Sequence, residues 1–221
     1  MHTAIRDLTI RGGLRLKALL RVRRFFTVYQ MVMLYKAQVL SFLESGCSVF
    51  IYTPATTMKL IDRIQARFLH AIGLSEVSAF LDFNLAPMII RRQITALGIL
   101  HKRILGLTPS VITELLPFAV RNPLTHQTRL AVRLHDKQLE DRASGIVTEM
   151  FRRSLFGYVG IYNRLPQGCI NLPNVKSFQA HLQSSLRNQV QMGNPAWRDL
   201  LASLNRISDI RVFQQIFQIK I

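Results

Sequence analysis

The chain has 221 residues, 49% of them hydrophobic, and carries 29 Lys and Arg against 12 Asp and Glu, a formal net charge of +17. That apolar content excludes a disordered basic tail and suits one domain or two small ones. The charge calls for a polyanionic partner, with nucleic acid ahead of an anionic membrane surface, because the cations recur over several predicted elements.

His2–Arg23 reads as a helix weakened at Gly12-Gly13, since each glycine costs about 1 kcal/mol against Ala. Leu14, Ala18 and Val22 share one of its faces. Thr27 is a suitable N-cap for a second helix, Val28–Ser45. Met31, Leu34, Tyr35 and Phe42 form its apolar stripe with Gln38 as the exception. Val32, Val39, Leu40 and Leu43 widen that stripe, as in a helix buried on more than one side. Gly46 is the expected stop.

Thr53-Pro54 pairs an N-cap with Pro at the first helical position, and the helix should run to Ile72 with Gly73 just beyond. Met58, Ile61, Gln65, Phe68 and Ile72 share one side, and Lys59, Arg63, Arg67 and His70 step along the opposite one. Asp62 is the lone acid and is expected to pair with Lys59. Short helices are predicted over Leu74–Phe83 and after Thr108-Pro109, and a longer one over Met88–Leu105.

Residues 121–150 read as a linker, with Leu130–Leu134 as a possible short strand. Helices are then expected over Phe151–Arg164, after Asn174, from Pro195 and over Ser208–Ile221. The resulting expectation is an all-α protein: a basic helical bundle (1–120), a connection (121–150) and a smaller helical group (151–221).

Four segments in order resemble the thumb and post-thumb tail of non-LTR (LINE-type) retrotransposon reverse transcriptases, especially the multi-copy versions in dinoflagellate genomes. They are LYKAQVLSFLESG (Leu34–Gly46), LIDRIQARFLHAIGL (Leu60–Leu74), FNLAPMIIRRQITALGILHKRILG (Phe83–Gly106) and YNRLP…VKSFQAHL (Tyr162–Leu182). The resemblance implies a helical clamp beside a template–primer duplex. It carries no polymerase aspartates to this chain, which has no Asp-Asp pair. Met1 is then expected to be an internal codon of a longer or decayed frame. The Arg-rich, nearly acid-free segment 1–29, which could pass for a mitochondrial transit peptide, is better explained as an internal piece of the family.

Catalytic, metal and cofactor sites are not expected. Glu140-Asp141 lacks the third carboxylate that a two-metal centre needs. Cys47 and Cys169 are expected as free buried thiols, the six His show no zinc spacing, and Arg11-Gly12-Gly13-Leu14 is no phosphate loop. These features fit the nucleus or cytoplasm better than secretion. Met31–Tyr52, the best apolar run, is broken by Lys36 and Glu44, so no membrane span is expected.

The candidate RNA- or DNA-binding set is Arg15, Lys17, Arg21, Arg23 and Arg24, then Lys59, Arg63 and Arg67, then Arg91 and Arg92, all through phosphate contacts. Phe25, Phe26, Tyr29 and Tyr35 beside the first cluster are expected as core, with base stacking the alternative. A different reading is an interaction module whose apolar helix faces, such as Phe213–Phe217, bind a protein partner.

Overall fold

The computed structural model describes residues 2–45, 55–119, 135–142, 151, 154–202 and 210–219. Among these residues the regular secondary structure is helical, with no strand, so the all-α expectation holds. They divide into two compact units, Met1–Arg92 and Gln93–Ile221.

In the first unit, α1 is His2–Arg21, α2 Val28–Tyr35, α3 Ser41–Glu44, α4 Ala55–Ala71 and α5 Glu76–Phe83. The first residues of α6, Met88–Ile104, also belong to it. α1 runs unbroken through both glycines. A Cβ on Gly12 would stand 2.7 Å from Leu43 Cδ2 and 3.1 Å from Ile64 Cδ1, whereas one on Gly13 would meet nothing within 4 Å. Gly12 is therefore a point of close approach between helices and not a weak spot. The face of α1 predicted as apolar is the wrong one: Leu14, Ala18 and Val22 are exposed, and Ile5, Leu16 and Leu19 are buried.

Thr27 caps α2 as expected. Its Oγ1 accepts from Gln30 N at 3.3 Å, while Gln30 Oε1 accepts from Thr27 N at 2.9 Å, a reciprocal capping box. A π-helical turn, Lys36–Leu40, then joins α2 to α3, with Ser41 N–H donating to Lys36 O. The inserted residue rotates everything after it by about 100°. Met31, Tyr35, Val39 and Leu43, each four residues after the last, are all buried because the insertion brings this four-residue spacing back onto one side.

Ile61, Ile64 and Phe68 of α4 are buried with Met31, Tyr35 and Leu43 in one apolar cluster. Full burial of each such side chain contributes about 1.5–3 kcal/mol. Ser75 caps α5, and Gly73, at φ +70°, ends α4 as predicted. Thr53-Pro54, Gly46 and Cys47 lie outside the described residues.

In the second unit, α7 is Ser110–Leu115, α8 Val159–Tyr162, α9 Gln167–Ile170, α10 Val175–Gln191 and α11 Ile210–Phe217. Asn174 caps α10 by accepting from Ser177 N at 2.7 Å, so the helix expected after it is present, and Phe178, Leu182 and Leu186 are fully buried along it. Phe151–Arg164 is not one helix: a 3-10 turn, Leu155–Tyr158, precedes the short α8. Pro195 leads into only a 3-10 turn, Trp197–Asp199.

Among the described residues one antiparallel bridge pairs Phe118 with Leu139. The possible strand Leu130–Leu134 lies outside the described residues. Phe213 and Phe217 are buried within the unit, where Cys169 Sγ and His181 Nε2 each lie 2.8 Å from Phe217 O. The apolar face offered to a partner is thus already covered by the chain itself. Cys169 is a free buried thiol whose pKa burial pushes up to about 12.

Candidate nucleic-acid interface

The candidate interface is built on α4. Its buried residues Ile61, Ile64 and Phe68 set one side against the core, and helical periodicity puts Lys59, Arg63, Arg67 and His70 on the other. All four are exposed, and none makes a hydrogen bond, ion pair or ring contact among the described residues. From Lys59 to His70 the row rises about 16 Å, roughly the rise of five nucleotides along one strand.

The acid expected to occupy Lys59 is engaged elsewhere. Asp62 sits on the edge of α4 and receives both arms of Arg92, Nη1 to Oδ1 at 2.7 Å and Nη2 to Oδ2 at 3.1 Å. This corrects the predicted Asp62–Lys59 pair. A planar guanidinium fork matches a carboxylate in a way that an ammonium cannot. Lys59 is left without a counter-charge among the described residues, and the row stays uniformly cationic.

The same geometry removes Arg91 and Arg92 from the outward-facing set. Arg91 clamps Glu44 through Nε to Oε1 and through Nη2 to Oε2 at 3.0 Å. Beside it, Lys36 Nζ donates to Phe83 O at the end of α5, and its pKa is lowered by burial and then by the Arg91 charge. These side chains tie helices of the first unit together.

Arg15 is exposed but already engaged within the unit. Its Nη1 donates to Gln38 O at 3.2 Å, and its guanidinium lies 4.1 Å over the Phe42 ring. Gln38 belongs to the π turn, whose altered hydrogen bonding leaves carbonyls for such partners.

Arg23 has a dual character. Its Nη1 donates to Ala71 O at 3.1 Å, capping the negative end of α4. Gly12 faces Ile64 and Arg23 reaches Ala71, so α1 and α4 run in the same direction. That places the basic turn Arg21–Arg24 at the His70 end of the α4 row. Lys17 and Arg21 are exposed one turn apart on the solvent face of α1, without a partner among the described residues. The structure therefore joins the cluster Lys17, Arg21, Arg23 and Arg24 to the row Lys59, Arg63 and Arg67, and leaves Arg15, Arg91 and Arg92 aside.

The aromatics divide differently from the expectation. Tyr35 is core, stacked on Phe68 with centroids 4.1 Å apart. Phe25, Phe26 and Tyr29 are instead exposed, Phe25 by 68% and Tyr29 by 63%. The readable signal was position: Phe25 and Phe26 follow the last turn of α1, where no helical face could bury them.

Among the described residues no three His, Cys, Asp or Glu side chains are grouped to hold a metal ion, and no helix is long and apolar enough to cross a membrane. No family model matches the chain, and neither curated proteins nor solved structures give a match.

Proposed function

We propose that this chain binds RNA or DNA through phosphate contacts, without catalysis of its own, as a helical module like the tail that follows the polymerase core in LINE-type reverse transcriptases. One observation carries the reading: the exposed row Lys59, Arg63 and Arg67 on α4, unpaired among the described residues, from which Arg92 has withdrawn the one acid of that helix. Cations one helical turn apart on a rigid helix can follow a phosphate backbone, and each contact releases counterions. The basic turn at the His70 end extends that path. The ordered sequence resemblance supports the same class of partner.

The test is binding of labelled RNA and DNA over a salt series. We expect affinity of roughly micromolar or weaker, falling steeply with salt and differing little between sequences. The triple variant Lys59→Ala, Arg63→Ala, Arg67→Ala should weaken binding to every sequence. It should also flatten the slope of log affinity against log salt by about 2–3, close to one for each phosphate that is no longer neutralised. Binding indifferent to salt, or unchanged in the triple variant, overturns the reading.

A further inference from the structure

We infer that the turn between α1 and α2 is a stacking platform for unpaired bases, so that the ligand of the basic row includes a single-stranded segment. This rests on the nucleic-acid reading above and specifies its substrate class. Phe25, Phe26 and Tyr29 are exposed in the same short stretch of chain as the exposed Arg21 and Arg24. Large aromatics left in water mark contact surfaces, and here cations frame them.

The geometry suits a flat anionic polymer. Arg24 lies 4.7 Å over the Phe25 ring, and both side chains are exposed. Tyr29 lies beside Phe83 with ring centroids 6.5 Å apart. The capping box of Thr27 with Gln30 fixes the backbone between Phe25 and Tyr29. Through the Arg23–Ala71 contact the platform adjoins the end of the α4 row. A strand whose phosphates follow Arg63 and Arg67 is carried past His70 to these rings. Paired bases present no open faces along a duplex, whereas unpaired ones do, and base–aromatic stacking with phosphate contacts is the usual means of sequence-tolerant single-strand binding.

The full chain should be titrated with oligothymidylate, oligouridylate, a blunt duplex and the same duplex bearing a single-stranded overhang. Single strands and the overhang should bind more tightly than the blunt duplex. Phe25→Leu, which keeps apolar bulk without a π face, should weaken single-strand binding about 5-fold or more and leave the blunt duplex within about 2-fold. Phe25→Trp should restore it. Equal binding of blunt and single-stranded probes, or full single-strand affinity in Phe25→Leu, overturns the inference.

Vesicles of phosphatidylserine and phosphatidylcholine provide the competing arm. If the chain sediments with them, Phe25→Leu sediments equally, and the single-strand preference is missing, the patch is a membrane-surface site and the inference fails. The Lys59, Arg63 and Arg67 variant separates the two levels. Its loss of affinity with Phe25→Leu silent leaves the phosphate row standing and removes only the platform.

Discussion

Arg92 and Asp62 hold each other through two parallel hydrogen bonds of 2.7 and 3.1 Å, and this pair gives α4 a wholly cationic outer row. Arg92 is 15% exposed and Asp62 35%, so water screens the pair only in part. Arg92→Ala should therefore lower stability in a denaturant titration by about 1–3 kcal/mol. It should alter nucleic-acid affinity far less than Arg63→Ala, apart from a small loss from the freed carboxylate near Lys59. Equal losses in the two variants would mean that Arg92 reaches phosphate directly.

Gly12 and Gly13 are neighbours with opposite expectations. Gly13→Ala adds a methyl where nothing lies within 4 Å and removes a helix penalty, so it should stabilise by about 0.5–1 kcal/mol. Gly12→Val drives its side chain into Leu43 and Ile64, both buried, and should destabilise by about 1–3 kcal/mol. Thermal denaturation of the two variants side by side checks both signs.

The periodicity of α4 made its core side and its basic side readable together, because a straight helix preserves a 3.6-residue pattern. Periodicity misled on α1. Leu14, Ala18 and Val22 are as well spaced as Ile5, Leu16 and Leu19, and only the close approach at Gly12 decides which side packs. The π turn at Lys36–Leu40 left its trace only as a four-residue apolar spacing, Met31, Tyr35, Val39 and Leu43, kept up longer than a 3.6-residue helix holds on one face. Ion-pair partners were the least legible part. Lys59 is three residues from Asp62, but Arg92 wins from another helix with a better-matched donor pair. Of the proposed site, the row was readable from spacing, while the exposure of Phe25 depended on where α1 stops.

Tyr35 stacks on Phe68 with ring planes 9° apart, but its buried hydroxyl has no hydrogen-bond partner among the described residues. Burial raises the hydroxyl pKa well above the usual tyrosine value. Tyr35→Phe keeps the stack and removes an unsatisfied polar atom, so stability should stay level or rise by up to about 1 kcal/mol. Tyr35→Ala empties the site and should cost about 3–5 kcal/mol. A clear loss in Tyr35→Phe, read from the denaturation midpoint, would show that the hydroxyl makes a hydrogen bond in solution.

His101 is buried in the second unit, stacked on Phe178 at 4.2 Å. Its Nε2 lies 3.1 Å from Leu172 O, and its Nδ1 lies 3.0 Å from the Tyr162 hydroxyl. A carbonyl can only accept, so Nε2 carries the proton and Nδ1 accepts from Tyr162. Burial lowers the His101 pKa more than the Leu172 carbonyl raises it. The unfolded chain therefore binds a proton more readily than the folded one. Stability from this group is fully present above the unfolded value of about 6.5 and is lost as pH falls through it towards the lower folded value. The denaturation midpoint should fall as pH drops below about 6.5. His101→Gln, which cannot titrate, should lose that part of the pH dependence, whatever its stability at neutral pH. An equally steep fall in the variant would assign the acid sensitivity to other groups.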